Sequence, residues 1–176
     1  GTNWIERSTG LKKTLRDVDF VDDMTGWAVG DGGVLINTTD GGISWKYQLV
    51  QYSPPFTSGH WLYDVDFRNE LTGWTCGMDG YVNKTTDGGN NWTSITTASF
   101  NYLFSICFPD DNDTGWACGR FGTIQKTDNA GINWYTQSTG TSQHLNSIVV
   151  DNFRFPVTNI GWCVGNGGTI LASGLA

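Results

Sequence analysis

A hexapeptide that occurs four times constrains the fold of this chain more than any other feature. The sequence TGWAVG at residues 25–30 returns as TGWTCG, TGWACG and IGWCVG, with tryptophans at Trp27, Trp74, Trp116 and Trp162. These tryptophans are 47, 42 and 46 residues apart. Such a period indicates a structural unit that is copied along the chain and buries its apolar faces against neighbouring copies.

Two further motifs keep the same order in each unit. TTDGGISW ends at Trp45, TTDGGNNW ends at Trp92 and TDNAGINW ends at Trp134. Each unit also opens with an alternating apolar run, such as LRDVDF at residues 15–20. Alternation is typical of β-strands, and no stretch of ten residues shows the i, i+3, i+4 spacing of an amphipathic helix. Together the motifs predict four antiparallel strands in each unit.

A repeat of about 44 residues with four antiparallel strands is typical of a β-propeller blade. The Ser/Thr-x-Asp-x-Gly-x-x-Trp motif resembles the Asp-box, or BNR, repeat of sialidases, sortilin-like receptors and several glycosidases. With the GWAVG motif added, the chain most closely resembles the propeller of the photosystem II assembly factor family. We therefore predict one all-β domain over residues 1–176, with four Asp-box blades at about residues 11–52, 60–99, 100–140 and 141–176, the last completed by residues 1–9.

The Asp box implies a structural turn on the outer edge of a blade. Asp40 and Asp87 can accept backbone N–H groups of their own turn, and Asn129 takes that place in the third copy. The glycines allow conformations that are closed to residues with a Cβ atom, and the tryptophans anchor the outermost strand. The predicted structural residues are Thr38, Asp40, Gly42, Trp45, Thr85, Asp87, Gly89, Trp92, Thr127, Asn129, Gly131 and Trp134.

The two ends of the chain carry the two parts of one further Asp box. Residues 1–4 read GTNW, like the end of the motif, and residues 173–176 read SGLA, where its start belongs. We predict that the N-terminal segment is the fourth strand of the last blade. That strand can come from the same chain, from a second copy, or from a longer propeller of which this chain is a part. The predicted closure and assembly residues are Trp4, Ile5, Ser173 and Leu175.

The sequence predicts a protein without catalytic residues, cofactor or metal site. A sialidase needs converging arginines, a tyrosine nucleophile and a Glu base, but the only glutamates here are Glu6, on the predicted outermost strand, and Glu70, in a turn. Asp17 and Asp64 recur on the innermost strand, where we interpret them as polar lining of the channel or, alternatively, as ligands of a cation. Fingerprints of serine hydrolases, metalloproteases and nucleotide-binding proteins are missing. A carbohydrate-binding or glycosidase-like Asp-box protein is the alternative interpretation.

The charge of the chain narrows the class of partner. Seventeen acidic against ten basic residues give a net charge of −7, which argues against nucleic acid and anionic membrane surfaces. No apolar run approaches the roughly 20 residues that cross a bilayer. We predict a secreted scaffold in an extracellular, periplasmic or lumenal location. Its partner is then another protein, or a second copy of itself joined through the N-terminal strand. A glycan is the alternative ligand.

An aromatic insertion between the first two units predicts a binding surface. The sequence QYSPPFTSGHW at residues 51–61 accounts for the spacing of 47 residues. The turns that follow the second strands lie on the same face of the predicted propeller. Exposed aromatic residues on loops suit a protein or carbohydrate surface, although the same rings can merely cap the blade. The candidate binding residues are Tyr52, Phe56, His60, Trp61, Arg120 and Phe121.

Two covalent features are left as alternatives. Cys107 and Cys118 flank a short turn, where they form either a disulfide or two small buried hydrophobic side chains. Four Asn-x-Ser/Thr sequons also occur, and the one in a polar turn is the best placed to carry a glycan. The glycosylation candidates are Asn112, which is the best placed, with Asn37, Asn83 and Asn91, of which Asn91 lies inside an Asp box and is less accessible.

Overall fold

The computed structural model describes residues 3–50, 59–109, 113–151 and 160–173, and this part of the chain is all-β. Each of its four sheets is an antiparallel meander in which consecutive strands are neighbours. The first sheet contains β1 Leu15–Phe20, β2 Gly26–Gly30, β3 Val34–Thr38 and β4 Lys46–Tyr47. The second contains β5 Leu62–Phe67, β6 Gly73–Gly77, β7 Tyr81–Thr85 and β8 Thr93–Thr96. The third contains β9 Leu103–Cys107, β10 Gly115–Gly119, β11 Ile124–Thr127 and β12 Tyr135–Gln137, and the fourth contains β13 Leu145–Asp151, β14 Ile160–Gly165 and β15 Ile170–Ala172.

These sheets are the four blades of a β-propeller, as the repeat predicts. The opening apolar run forms the first strand of each blade, the GWxxG motif forms the second, and the Asp box joins the third to the fourth. A single 3₁₀ turn follows the second strand in the last three blades, at Met78–Gly80, Arg120–Gly122 and Asn166–Gly168. In the described residues no helix is long and apolar enough to cross a bilayer.

The core lies between blades, and the first two junctions are built around the same ring pair. The indole of Trp27 stacks on Phe67 of the next blade, with centroids 3.5 Å apart, and Trp74 stacks on Phe108 at 3.7 Å. The first glycine of the GWxxG motif makes room for this ring, because a Cβ atom at Gly73 would lie 2.5 Å from the Phe67 ring. Aromatic pairs of this kind contribute on the order of 1 kcal/mol beyond the burial of their area.

The Asp-box turns are held by hydrogen bonds within each turn. The Thr85 hydroxyl accepts the Gly89 N–H at 2.9 Å, and the Asp87 carboxylate accepts the Asn91 N–H at 2.8 Å. The first and third copies make the same two bonds, with Asn129 in place of the aspartate in the third. In the first copy, bonds from Ser44 lower the pKa of Asp40 to about 2. These oxygens are therefore occupied by their own turn.

Replacing Thr85 by valine is expected to lower the free energy of unfolding by about 1–3 kcal/mol. Valine has the shape of threonine but leaves the buried Gly89 N–H without its acceptor. Urea denaturation followed by circular dichroism measures the change. Thr86→Val, at the exposed neighbouring position, is the matched control and is expected to change stability by less than about 0.5 kcal/mol. Equal losses in both variants would contradict this role of the hydroxyl.

The recurring carboxylates on the first strands of the first two blades, β1 and β5, accept backbone hydrogen bonds from the next blade. Asp17 accepts the Val65 N–H at 3.0 Å and Asp19 accepts the Phe67 N–H at 2.7 Å. One blade further, Asp64 accepts the Ile106 N–H at 2.8 Å, and Asp66 bonds the next blade in the same way. These aspartates therefore join neighbouring blades, and the described residues contain no cluster of three or more His, Cys, Asp and Glu that could hold a metal ion.

The N-terminal segment does not complete the fourth blade within the same chain. Residues 3–9 form no strand, Trp4 is fully exposed, and the described part of the fourth sheet has three strands. The first and last blades do not bury their outer faces: Val18 is 55% exposed and Trp162 is 48% exposed, although both positions are buried in the junctions between blades. Of the three alternatives for the fourth strand, completion by the same chain is therefore not seen in the described residues, and Leu175 lies outside them.

The structure also decides between the two alternatives for the cysteines and excludes one glycosylation candidate. Cys107 lies opposite Trp116 and Cys118 lies opposite Ser105 across the same strand pair, so the two thiols do not face each other, and all four cysteines are free. Asn83 is wrong as a glycosylation candidate, because its amide is fully buried and donates to the Thr75 hydroxyl. Of the other candidates, Asn37 is half-buried, Asn91 is exposed and bonded to Asp87, and Asn112 lies outside the described residues.

Candidate functional site

One face of the propeller gathers arginine and aromatic side chains from all four blades. They lie at or next to the first residues of β1, β5, β9 and β13, the first strands of the four blades, and in the 3₁₀ turn of the third blade. We call this surface the arginine–aromatic face. Its members are Arg16, Trp61, Tyr63, Tyr102, Phe104, Arg120, Phe121 and His144.

The backbone of the repeat positions this face. The residue before each innermost strand offers its carbonyl to the residue after the GWxxG motif: Tyr102 accepts the Arg120 N–H at 2.9 Å, and His144 accepts that of Asn166 at 2.8 Å. Such a close approach requires the last glycine of the motif. A Cβ atom at Gly119 would lie 1.9 Å from the Tyr102 carbonyl oxygen. The motif that forms the core thus also brings the 3₁₀ turn beside the aromatic side chains.

Arg16 lies at one end of the face. Its guanidinium forms an ion pair with Asp31 and lies over the rings of Trp61 and Tyr63, 4.6 and 4.9 Å from their centroids. Trp61 and Tyr63 contact each other edge to face at 6.4 Å. Burial raises the pKa of Tyr63, and its neutral phenol can donate as well as accept a hydrogen bond.

Arg120 is the second cation of the face and differs from Arg16 in its partners. Its guanidinium lies 4.5 Å from the Tyr102 centroid and 5.8 Å from the Phe121 centroid. Within the described ranges no carboxylate forms an ion pair with Arg120. A stacked guanidinium keeps its planar fork of N–H donors, which matches the two oxygens of a carboxylate.

Phe121 stands in a conformation that phenylalanine rarely adopts. Its φ is 54°, in the left-handed region, and the equivalent positions of the first and fourth blades hold Gly32 and Gly167. The ring is 59% exposed, packs edge to face on His144 at 5.1 Å, and its backbone N–H donates to Nδ1 of that histidine. Strained backbone that exposes a large apolar ring is a common property of binding sites.

The remaining rings connect the two arginines into one surface. Tyr63 packs edge to face on Phe104 at 5.2 Å and lies 6.3 Å from Tyr102. Phe104 in turn contacts His144 at 6.3 Å. The face therefore offers flat apolar rings with a guanidinium at either end. This arrangement is suited to an extended ligand with apolar groups and a carboxylate.

The structure brings three of the candidate binding residues together: Trp61, Arg120 and Phe121 all belong to the arginine–aromatic face. His60 flanks it, 3.1 Å from the Asp79 carboxylate. Tyr52 and Phe56 lie outside the described residues. Sequence reasoning missed Arg16, Tyr63, Tyr102, Phe104 and His144.

A signal for the missed residues exists in the repeat itself. Aligned column by column, the position before the opening leucine holds Thr14, Trp61, Tyr102 and His144, and the position after it holds Arg16, Tyr63, Phe104 and Asn146. Each column is mostly aromatic or cationic although it lies outside the motifs that define the fold.

The fold and its turns define the class of protein: an Asp-box β-propeller. The chain belongs to the family described as photosynthesis system II assembly factor YCF48, whose model matches residues 1–99. A search of the curated proteins found no match.

Solved structures agree on the fold. The chain is similar to YCF48 bound to D1 peptide, with 21% identity and a TM-score of 0.63, covering 96% of this chain and 67% of that one. It is also similar to YCF48 from Cyanidioschyzon merolae, with 22% identity, a TM-score of 0.64, and coverage of 92% of this chain and 53% of that one. The computationally designed Ika4 protein matches over 99% of this chain and all of its own, with 12% identity and a TM-score of 0.70. The chain thus spans between about half and two thirds of the YCF48 structures.

Proposed function

We propose that this chain is a non-catalytic protein-interaction module whose arginine–aromatic face binds an extended peptide. The observation that carries the proposal is the stack of Arg120 on Tyr102, which leaves a guanidinium without an ion pair in the described structure beside exposed rings. Family membership supports it, since one member has been solved with a peptide bound. A carboxylate of the ligand then pairs with Arg120 while its apolar side chains pack on Phe121 and Trp61.

Replacing Arg120 by alanine is expected to weaken peptide binding at least tenfold, because interface arginines with stacked guanidinium groups are often dominant contributors. The probes are short synthetic peptides that end in a free carboxylate, each compared with its amidated form by calorimetric titration. The parent is expected to prefer the free carboxylate, and the variant is expected to lose that preference. Lys46→Ala, which removes an exposed cation from β4, is the matched control and is expected to bind like the parent.

Two outcomes would contradict the peptide proposal. One is equal affinity of Arg120→Ala and the parent for every peptide that the parent binds. The other is glycan binding that depends on Trp61 and Phe121 in the absence of any peptide binding. The second outcome would favour the carbohydrate-binding alternative.

The proposal places the protein outside the cytoplasm, in an extracellular, periplasmic or lumenal compartment. The family resemblance and the strands rich in Thr, Asn and Gly support this location. Cell fractionation with detection of the chain tests it, and recovery in a cytosolic fraction would count against it.

The proposal also includes a scaffold role, in which the N-terminal segment joins a second copy of the chain. Two observations support this role. The described part of the fourth blade has three strands, and Trp4 is fully exposed.

A further inference from the structure

The two outermost faces of the blade array are the separated halves of one recurring interface. On the first blade, Leu15, Val18 and Phe20 are exposed, whereas their counterparts Leu62, Val65 and Phe67 are buried. We call this surface of β1 the leading face. On the fourth blade the exposed counterparts of buried core residues are Trp162, Val164 and Ile170, which form the trailing face.

Each junction inside the chain shows what such faces bind. Trp27, Val29 and Leu35 of the first blade form one apolar cluster with Leu62, Val65 and Phe67 of the second. The same pairing recurs between the second and third blades and between the third and fourth. The structural precedent for the partner of a trailing face is therefore a leading face of the same repeat.

A groove of about 330 Å³ beside the trailing face lacks a side chain that the other blades have. Trp116 and Val150 line it, and they are the repeat counterparts of Trp74 and Phe108. In the third blade Trp134 packs edge to face on Phe108 at 5.8 Å, in the same cluster as Trp74. The groove is thus the position of an Asp-box tryptophan, next to the edge of β15.

Trp4 has the spacing that this position requires. It precedes Leu15 by 11 residues, as Trp92 precedes Leu103 and Trp134 precedes Leu145. Trp4 is fully exposed and its own segment forms no strand, so it is available to a second molecule. A chain that docked its leading face on a trailing face would carry its Trp4 to the groove, because the repeat connects these two elements in that order.

A polar contact continues across the same junction. Asp17 accepts the Val65 N–H, Asp64 accepts the Ile106 N–H and the Ser105 hydroxyl accepts the Ile148 N–H, each between neighbouring blades. The next member of this series is Ser147, which is exposed. Its hydroxyl would accept the N–H of Val18 in a second copy.

We propose that two copies of this chain associate head to tail, the leading face of one on the trailing face of the other, with Trp4 in the groove. The inference extends the scaffold role proposed above and is independent of peptide binding. Two such junctions between two chains give a ring of eight blades, at the upper end of the usual range for propellers. The expected native mass is 2 × 19.3 kDa, or 38.6 kDa.

Light scattering coupled to size exclusion tests the proposal with paired variants. Val18→Glu blocks the leading face and Val164→Glu blocks the trailing face, and both side chains are exposed, so neither change should disturb folding of the single chain. Each variant alone is expected to run at 19.3 kDa, with self-association weakened at least 100-fold. An equimolar mixture is expected to regain 38.6 kDa, because one intact leading face then meets one intact trailing face.

Further variants separate the contribution of Trp4 to self-association from that of the leading and trailing faces. Trp4→Ser is expected to weaken association at least tenfold, and Leu71→Glu, at an exposed apolar position outside both faces, is expected to leave it unchanged. A larger multiple of the chain mass that the same variants abolish also supports the junction, since head-to-tail contacts that do not close propagate. A parent that stays at 19.3 kDa at all concentrations, or a mixture that fails to regain mass, would overturn it. Peptide affinity of Val18→Glu, measured in parallel, reports separately on the arginine–aromatic face.

Discussion

Trp74→Ala is expected to lower the free energy of unfolding by about 3–5 kcal/mol, a large part of the 5–15 kcal/mol typical of a domain. The indole is completely buried, stacks on Phe108 at an interplanar angle of 12°, and donates its N–H to the Ala130 carbonyl at 3.2 Å. Alanine removes the stack and leaves a cavity between the second and third blades. It also deprives two cations, Arg68 and Lys84, of the ring over which they lie.

Trp162→Ala is the matched control for this prediction, because it changes the same position of the repeat. Trp162 is 48% exposed, so its loss is expected to cost less than about 1 kcal/mol in the single chain. Both variants are best made in the Val18→Glu background, which keeps self-association out of the comparison. Urea denaturation followed by circular dichroism at 222 nm gives the free energies. Similar losses of unfolding free energy in Trp74→Ala and Trp162→Ala would show that packing between blades does not determine the stability of the chain.

The blades could be predicted from sequence because their motifs have direct physical causes. The GWxxG motif combines the tryptophan that stacks on the next blade with glycines that allow close approach of the Phe67 ring and the Tyr102 carbonyl. The Asp box encodes a turn whose hydrogen bonds are local. Local causes repeat with the sequence, so the number of blades and the order of strands follow from the spacing of the motifs.

Closure and the binding face could not be predicted in the same way. From the match between residues 1–4 and 173–176 we predict that Trp4 belongs to a fourth strand, but the match contains no information on which molecule receives that strand. Closure within one chain requires the first and last blades to touch. Whether they touch depends on the sum of the angles between successive blades, which the motifs do not specify. The arginine–aromatic face could be predicted only in part, because Tyr63 and Phe104 come from different blades and meet only in three dimensions.

The carboxyl group of Asp64 is expected to give the protein an unusual dependence of stability on pH. Burial, with a smaller contribution from neighbouring Asp17, raises the pKa of Asp64 to about 8, and burial raises the pKa of Asp66 to about 6. A carboxyl group with a raised pKa binds more protons in the folded than in the unfolded chain between its ordinary value, about 4, and its folded value. The free energy of unfolding therefore falls as the pH rises through that interval and is level above it.

Asp64→Asn is expected to make the chain more stable than the parent at pH 8 and to abolish the loss of stability between pH 6 and 8. The asparagine stays uncharged, its amide oxygen can still accept the Ile106 N–H, and its amide N–H can donate to Asp17. Asp66→Asn is the matched control, because the folded pKa of Asp66 confines its effect to the interval between about pH 4 and 6. Urea denaturation from pH 5 to 9 measures the slopes, which for one proton reach at most about 1.4 kcal/mol per pH unit. A parent whose stability is level from pH 6 to 8, or an Asp64→Asn variant that keeps the parent's slope there, would show that Asp64 is charged in the folded chain at neutral pH.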